Sequence, residues 1–164
     1  MRIGLGYDLH RLTAGRPLYL GGLRIPQSRG LLGHSDGDVI IHAVIDALLG
    51  AGGEGDIGRL FPDTDPGLKN VRSTELLRDV VSRLRRKRLR VAHVDAVVVA
   101  ESPKLGPYFE KMKDVLAPLL GLPRDRLGLK AKTNEGLGEI GRGRAIACWA
   151  AASLRPVSGR KPKE

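Results

Sequence analysis

The segment GHSDGDVIIHAVIDALL, residues 33–49, combines an almost continuous apolar run with acidic and imidazole side chains. Aliphatic residues fill nearly every position from Val39 to Leu49, which is more than one amphipathic stripe contains. Ser35, three residues before Asp38, matches a capping box, and Gly50 after the apolar run is typical of a helix end. The segment therefore predicts a helix that is buried over most of its surface.

Three polar side chains interrupt this helix at i, i+4 spacing. Asp38, His42 and Asp46 should lie along one side of it. Burying a charge is costly unless the group is paired, hydrogen-bonded or bound to a metal, so this side is expected to face a polar partner. Two plainer interpretations stay open, in which Asp38 is a helix cap and His42 is a hydrogen-bonded core histidine.

Two more residues of the types that bind metals, Asp8 and His10, lie near the start of the chain. Residues 2–7, RIGLGY, predict a strand that continues through Asp8, Leu9 and His10, and strand alternation places Asp8 and His10 on the same face. Together with His42 they make two imidazoles and one carboxylate, a set suited to zinc with one position open for substrate. The competing interpretation is acid–base catalysis by the same groups without a metal.

Size and composition favour one cytoplasmic domain. The chain has 164 residues and a formal charge of +10, which is concentrated in residues 83–90 and in a basic tail, residues 157–164. We expect one domain over residues 1–156, followed by this tail as a disordered segment. Aromatic residues make up only 4% and none is interleaved with the basic run, so we expect no nucleic-acid partner. A single cysteine, Cys148, excludes an internal disulfide, and no apolar stretch is long enough for a membrane span or a signal peptide.

The remaining elements follow from periodicity and turn residues. We expect a hairpin over 19–26 and an acidic substrate-binding loop over 52–66. A helix over 73–88, capped by Ser73, and a strand over 91–100 should follow. The last predicted elements are a helix from near Lys104 to 120, a strand over 127–133 and a glycine-rich loop over 134–143. Alanine richness leaves residues 144–154 open as either a strand or a helix.

The sequence contains no Walker or dinucleotide-binding fingerprint, but several residues could bind a phosphate. Peptide N–H groups at residues 33–36, at the amino end of the buried helix, and at residues 55–58 could bind an anion. Lys104 and Lys132 could add positive charge, and Glu135 could hold a divalent ion between phosphates. These residues point to a metal-assisted reaction on a phosphorylated small molecule.

Five motifs extend the argument over nearly the whole chain. GYDLHRL, GLLGHSDGDVIIHAVIDALLGA, GDIGRLFPDTDP, ESPKL and KAKTNEGLGEIGRGRAIAC occur in this order and together resemble the 2-C-methyl-D-erythritol 2,4-cyclodiphosphate synthase family of the non-mevalonate isoprenoid pathway. The resemblance implies conversion of a CDP-methylerythritol 2-phosphate to a cyclic diphosphate with release of CMP. It also implies an α+β fold, a mixed sheet with helices on one face, and a homotrimer with its sheets inside and active sites shared between subunits.

The resemblance also assigns roles to individual residues. It implies zinc ligands at Asp8, His10 and His42, and a second divalent ion, magnesium or manganese, at Glu135. Catalytic roles are implied for His34, Lys132, Thr133 and Glu135, and a supporting role around His42 for Asp38 and Asp46. The implied substrate contacts are Ser35, Asp56, Ile57, Gly58, Phe61, Asp63, Asp65, Ala100, Pro103, Lys104, Leu105, Ala131, Thr133 and Arg142.

A further site is implied at the centre of the trimer. Members of the family with Arg142 are thought to bind an isoprenoid diphosphate there, and this chain has Trp149 where many members carry Glu and Tyr7 where Phe is frequent. Two alternatives to the cyclase stay open at this point. One is a zinc phosphohydrolase acting on a related nucleotide, and the other is a non-enzymatic module whose basic surface binds nucleic acid.

Overall fold

The computed structural model describes residues 1–157, in which a single five-stranded sheet carries its helices on one face. The predicted basic tail, apart from Val157, lies outside the described residues. The strands are β1 (Arg2–Ala14), β2 (Leu18–Leu20), β3 (Leu23–Ile25), β4 (Arg29–Leu31), β5 (Leu89–Val99), β6 (Leu127–Lys132) and β7 (Ala145–Pro156). The helices are α1 (Val39–Gly52), α2 (Ile57–Leu60), α3 (Ser73–Arg86), α4 (Phe109–Leu120) and α5 (Gly138–Gly141).

The sheet has the strand order β4-β1-β7-β5-β6, and β2 and β3 form the predicted hairpin. Only the pairing of β5 with β6 is parallel, so the sheet is mixed and the α+β prediction is confirmed. The ambiguous alanine-rich segment is the central strand β7, paired along its length with β1 and β5. Among the described helices, none has the length and apolar character needed to cross a bilayer.

Helix α1 is the buried centre of the fold, as predicted, but its ends were predicted wrongly. It begins at Val39 with Asp38 as its N-cap, because Gly37 has a φ of 72° and turns the chain before the helix. The Ser35 hydroxyl accepts a hydrogen bond from the Gly37 amide and does not cap the helix. The helix also passes Gly50 and ends where Gly53 adopts the left-handed conformation.

Helix α3 also differs from its prediction at both ends. The N-cap is Arg72, which makes no side-chain capping bond, and the helix ends at Arg86, two residues before the predicted end. Ser73 lies inside the helix, where it is fully buried and its hydroxyl bonds to other side chains. The predicted loop over residues 134–143 contains the short helix α5.

Strand β1 packs directly against α1 because two of its residues have no side chain. A Cβ on Gly4 would lie 2.1 Å from the Ala47 carbonyl oxygen, and one on Gly6 would lie 2.0 Å from the Ala43 carbonyl oxygen. The other face of β1 carries Ile3, Leu5, Tyr7 and Leu9, which are 44–78% exposed. The fold thus has one face covered by helices and one apolar face that nothing in the described chain covers.

We predict that Gly6→Ala destabilises the protein by about 1–3 kcal/mol, because the added methyl group must push β1 away from α1. The matched control is Gly106→Ala, since an added Cβ there meets no atom within 4 Å and φ is not positive. Urea unfolding at one protein concentration measures both variants. Equal unfolding midpoints for the two variants would contradict the close packing of β1 on α1.

Candidate metal centre and active site

Asp8, His10 and His42 meet between β1 and α1, as the sequence predicts. Asp8 Oδ2 lies 2.9 Å from His10 Nε2 and 3.0 Å from His42 Nδ1, and the two imidazole nitrogens are 3.1 Å apart. Asp8 and His10 come from the helix-facing side of β1, and His42 comes from the first turn of α1. The Leu9 amide donates to Asp8 Oδ1 at 2.9 Å, which leaves Oδ2 directed at the imidazoles.

The three donor atoms fit one small cation. Tetrahedral zinc with bonds of about 2.0–2.1 Å has ligand atoms roughly 3.3 Å apart, close to the three distances observed. His10 Nδ1 lies 2.7 Å from the Leu32 carbonyl oxygen, to which it donates its proton, so the lone pair of a neutral His10 is on Nε2. A cation held by these two imidazoles and one carboxylate would have fewer than the four protein ligands of a closed structural zinc site, and so could take a further ligand from outside the chain.

A chain of side chains orients His42. Its Nε2 lies 2.8 Å from the Ser73 hydroxyl and 3.1 Å from the Ser35 hydroxyl. Ser73 donates its own proton to the buried carboxylate of Asp36, so it can only accept from His42. The single N–H of a neutral His42 is therefore on Nε2, and the lone pair on Nδ1 faces Asp8 and His10.

Asp36 and Ser73 were not predicted to support the His42 imidazole, a role expected instead of Asp38 and Asp46. The Asp38 carboxylate accepts from the amides of Gly21, Gly22 and Ile41, and so fixes the start of α1 to the β2–β3 hairpin. The Asp46 carboxylate accepts from the Ile57 amide at 2.8 Å. Neither side chain hydrogen-bonds to the His42 imidazole, although the Asp38 carbonyl oxygen accepts from the His42 amide at 3.0 Å, so a supporting role around His42 stays a prediction for both residues. The i, i+4 spacing placed them on the correct side of the helix but one turn away from the imidazole.

Burial and neighbouring charges shift the acidities at this site. Burial would raise the pKa of Asp8, but hydrogen bonds and positive charge from His10 and His42 outweigh it and hold the pKa well below its usual range. Burial would lower the pKa of His10, but its hydrogen bond to Asp8 and the charge of Asp8 raise the pKa above the usual 6.5. Burial raises the pKa of Asp38, with a further contribution from the charge of Asp36.

The triad opens into a cavity of about 240 Å³. Of the substrate contacts implied by the resemblance, the cavity wall includes His34, Ser35, Ile57, Gly58, Phe61 and Asp63. Asp56 and Asp65 lie in the same loop, but their carboxylates accept from the amides of Arg59 and Gly67 and cap short helical turns. The His34 ring also bonds to this loop, since Nε2 lies 3.3 Å from the Asp65 carbonyl oxygen.

The proposed peptide anion sites are only partly free. Residues 33–36 form a turn before α1 and not its first turn, and the Asp36 amide donates to the Val71 carbonyl oxygen at 3.1 Å. In residues 55–58 the Ile57 amide is bonded to Asp46. The prediction that residues 33–36 form the amino end of the helix was therefore wrong, because the chain turns at Gly37.

A second cluster of predicted residues lies at the carboxyl ends of β5 and β6. The Ala100 amide donates to the Lys132 carbonyl oxygen at 3.0 Å, and the Thr133 hydroxyl donates to Glu135 at 2.8 Å. Glu101, which the sequence analysis did not single out, accepts from the amides of Asn134 and Gly136 and shapes the loop. The side chains of Lys104, Lys132, Thr133 and Glu135 are exposed.

The two clusters lie apart within the chain. β7 and β5 separate β1 from β6 in the sheet, and among residues 1–157 the wall of the triad cavity includes no member of the second cluster. Three strand spacings correspond to about 14 Å. Arg142, another predicted residue, lies at the end of α5, where it pairs with Glu139 at 3.4 Å.

Comparison with known proteins identifies the family. A model of the YgbB family matches residues 1–155. The chain belongs to the YgbB family. Among its relatives, 2-C-methyl-D-erythritol 2,4-cyclodiphosphate synthase of Gloeobacter violaceus is 56% identical over 154 residues, covering 94% of each chain. The bifunctional enzyme IspD/IspF of Desulforudis audaxviator is 52% identical over 155 residues, which are 94% of this chain and 39% of that enzyme.

A solved structure gives the same result for the fold. A 2C-methyl-D-erythritol-2,4-cyclodiphosphate synthase in a CDP-bound form superimposes with a TM-score of 0.86 at 45% identity, covering 94% of this chain and 100% of that one. The family assignment from the sequence motifs is therefore confirmed, and the synthase prediction holds over its phosphohydrolase alternative.

We predict that the affinity for Zn²⁺ falls as the pH is lowered, starting above pH 6.5. Zinc needs a neutral His10, and the raised pKa of His10 means that protons compete with the metal earlier than at a free histidine. Below that pKa the apparent affinity should fall by up to about tenfold per pH unit, and above it this proton should have no effect. Chelator competition from pH 6 to 8 measures the affinity.

Calorimetry in buffers of different ionisation enthalpy provides the control, because it counts the protons that zinc displaces. An affinity that is constant over this pH range, with no proton release, would show that His10 is not a ligand.

Proposed function

We propose that this chain catalyses the intramolecular cyclisation of 4-CDP-2-C-methyl-D-erythritol 2-phosphate. An oxygen of the 2-phosphate attacks the β-phosphorus, a new P–O bond closes the ring, and the bond to the CMP phosphate breaks with its electrons leaving on CMP. The reaction is that of a phosphorus–oxygen lyase. The observation that carries the proposal is a metal-ligating triad opening into a cavity lined by His34, Phe61 and Asp63, in a member of the YgbB family.

The chain offers ligands for two cations. Asp8, His10 and His42 would hold Zn²⁺, and the exposed Glu135 carboxylate would hold a second divalent ion, Mg²⁺ or Mn²⁺. When bound, the cations neutralise the diphosphate and polarise its oxygens. Glu135, whose carboxylate accepts from the Thr133 hydroxyl at 2.8 Å, would hold this second ion together with oxygens of the substrate phosphates.

The protein side chains have to position charge more than they have to move protons. The attacking phosphate is mostly dianionic near pH 7 and needs no general base. His34 and Ser35, in the cavity wall, would bind the phosphates, and Lys132 and Thr133 would bind the phosphate that leaves with CMP. The apolar Ile57, Gly58 and Phe61, with Asp63, would enclose the methylerythritol unit. Positioning and electrostatic stabilisation then supply the rate.

The second cluster would bind the cytidine. Solved family members carry bound CDP by name, including the CDP-bound synthase described above. In this chain Ala100, Pro103, Lys104, Leu105 and Ala131 surround the carboxyl ends of the parallel strands β5 and β6. The Leu105 carbonyl oxygen accepts from the Tyr108 amide at 2.9 Å, so the N–H is the Leu105 backbone group that would bind the base.

We also propose a homotrimer whose active sites lie between subunits. The apolar face of β1, with Trp149 of β7, is what a neighbouring subunit would cover, because large exposed apolar patches mark interaction sites. Tyr7 and Trp149 already contact each other on this face, with ring centroids 4.6 Å apart and ring planes tilted by 44°. A neighbour would also bring its β5–β6 cluster to the triad cavity, which lacks one of its own.

The remaining proposals concern the context of the enzyme. The catalytic domain would be residues 1–156, followed by a basic tail, and the protein would act in the cytoplasm. An isoprenoid diphosphate could bind on the trimer axis near Arg142, between walls that Tyr7 and Trp149 alter in this chain.

We expect the purified protein with Zn²⁺ and Mg²⁺ to convert the CDP substrate to CMP and a cyclic diphosphate in equal amounts. His42→Ala should lose at least about 100-fold in kcat/KM, because one of three zinc ligands is gone. Phosphorus NMR and mass spectrometry of the products measure this. Lys111→Ala, at an exposed residue of α4, is the control and should keep full activity.

The same experiment in ¹⁸O-labelled water separates cyclisation from hydrolysis. Cyclisation incorporates no solvent oxygen, whereas a linear phosphate carrying ¹⁸O would contradict the proposal.

We predict that Leu5→Asp converts the trimer to monomers and abolishes activity. Leu5 is 78% exposed in the single chain, so the charge should cost the monomer little and the trimer much. Sedimentation measures the state of assembly. Lys111→Glu, an exposed charge change on α4, is the control and should leave the trimer intact. A wild-type monomer with full activity would refute the shared active site.

A further inference from the structure

Arg72 connects the support of the metal centre to the β2–β3 hairpin. Its Nε donates to Asp36 Oδ2 at 2.9 Å, and within residues 1–157 this is the one ion pair that Asp36 makes. The Asp36 side chain is only 4% exposed, so its charge is held away from water. A buried carboxylate that loses its one charged partner is strongly disfavoured.

Asp36 acts on His42 through Ser73. Oδ1 of Asp36 accepts from the Ser73 hydroxyl and from the Asp38 amide, and Oδ2 accepts from the Ser73 amide at 3.1 Å as well as from Arg72. Because the Ser73 hydroxyl donates to Asp36, its oxygen is left to accept from His42 Nε2. The ion pair with Arg72 therefore holds the carboxylate that accepts at the end of this chain of hydrogen bonds.

The opposite side of Arg72 is fixed by the hairpin. Its Nη2 donates to the Gly22 carbonyl oxygen at 3.0 Å, and the guanidinium carbon lies 3.9 Å from the centre of the Tyr19 ring. The guanidinium thus makes an ion pair, a backbone hydrogen bond and a cation–π contact at once. The same turn of the hairpin binds the Asp38 carboxylate through the Gly21 and Gly22 amides.

We infer that Arg72 is a positioning residue for the metal ligand His42. It holds the Asp36 carboxylate in place, Asp36 keeps the Ser73 hydroxyl proton directed away from His42, and His42 thereby keeps its N–H on Nε2 and its lone pair toward the metal. This inference rests on the proposed metal centre. Arg72 touches neither the triad nor its cavity, so its effect must pass through Asp36 and Ser73.

The variant Arg72→Met tests the inference, because methionine keeps much of the apolar contact with Tyr19 but has no donor. Zinc affinity by chelator competition should fall about tenfold, the size of effect typical of outer partners of metal-bound histidines. In the Co²⁺-loaded protein, the exchangeable Nε2–H resonance of His42 should exchange faster with water, since its acceptor is no longer fixed. Arg78→Met, an exposed arginine of the same helix, is the matched control and should change neither quantity.

Arg72→Lys is the second variant, in case methionine prevents folding. An ammonium group cannot keep both the Asp36 and the Gly22 contacts of the planar guanidinium, so zinc affinity should again fall, by severalfold. Zinc affinity and Nε2–H exchange that match the wild type in both variants would overturn the inference.

A double-mutant cycle with Ser73→Ala distinguishes positioning from general destabilisation. If Arg72 acts through Ser73, Arg72→Met should change zinc affinity less than twofold when Ser73 is already alanine. The same tenfold loss in that background would show that Arg72 acts by another route and would refute the inference. Failure of the wild type to bind either Zn²⁺ or Co²⁺ would instead refute the metal centre itself, so the two failures are distinguishable.

Discussion

The close contact between β1 and α1 is the constraint on which the site depends. Side chains at Gly4 and Gly6 would collide with the backbone of α1, and their absence lets the strand lie directly on the helix. At the end of this contact the helix-facing positions of β1 are Asp8 and His10, and the first turn of α1 presents His42. Their donor atoms lie within 3.1 Å of one another, because no side chain at Gly4 or Gly6 separates the strand from the helix.

The support of the triad comes from segments that lie far apart in the sequence. The turn before α1 supplies Ser35 and Asp36, the start of α3 supplies Ser73, and the hairpin holds both Asp38 and Arg72. A polar network of this kind is stable in a buried region only when each member has its partners, which is the case for these residues. The Ser35 and Ser73 hydroxyls consequently hold the His42 imidazole with Nδ1 toward Asp8 and His10.

The separation of the two residue clusters gives the fold its second constraint. The triad lies under β1 and the β5–β6 cluster lies across the sheet, while the apolar residues of β1 are exposed on the opposite face. Association through that face would cover apolar surface and bring a second cluster to each cavity at the same time. Stability and catalysis would then depend on the same contact.

The sequence by itself determined the buried helix, the shared face of Asp8 and His10, and the family, because periodicity and local motifs express these features directly. The sequence also predicted the grouping of Asp8, His10 and His42, whose side chains the structure brings together. Only the tertiary structure decided which groups support His42. Asp38 and Asp46 have the right helical spacing but bond to backbone amides, whereas Asp36, Ser73 and Arg72 reach the site through long-range contacts that no local pattern records. The start of α1 was decided in the same way, by a left-handed glycine and by the hairpin that binds its N-cap.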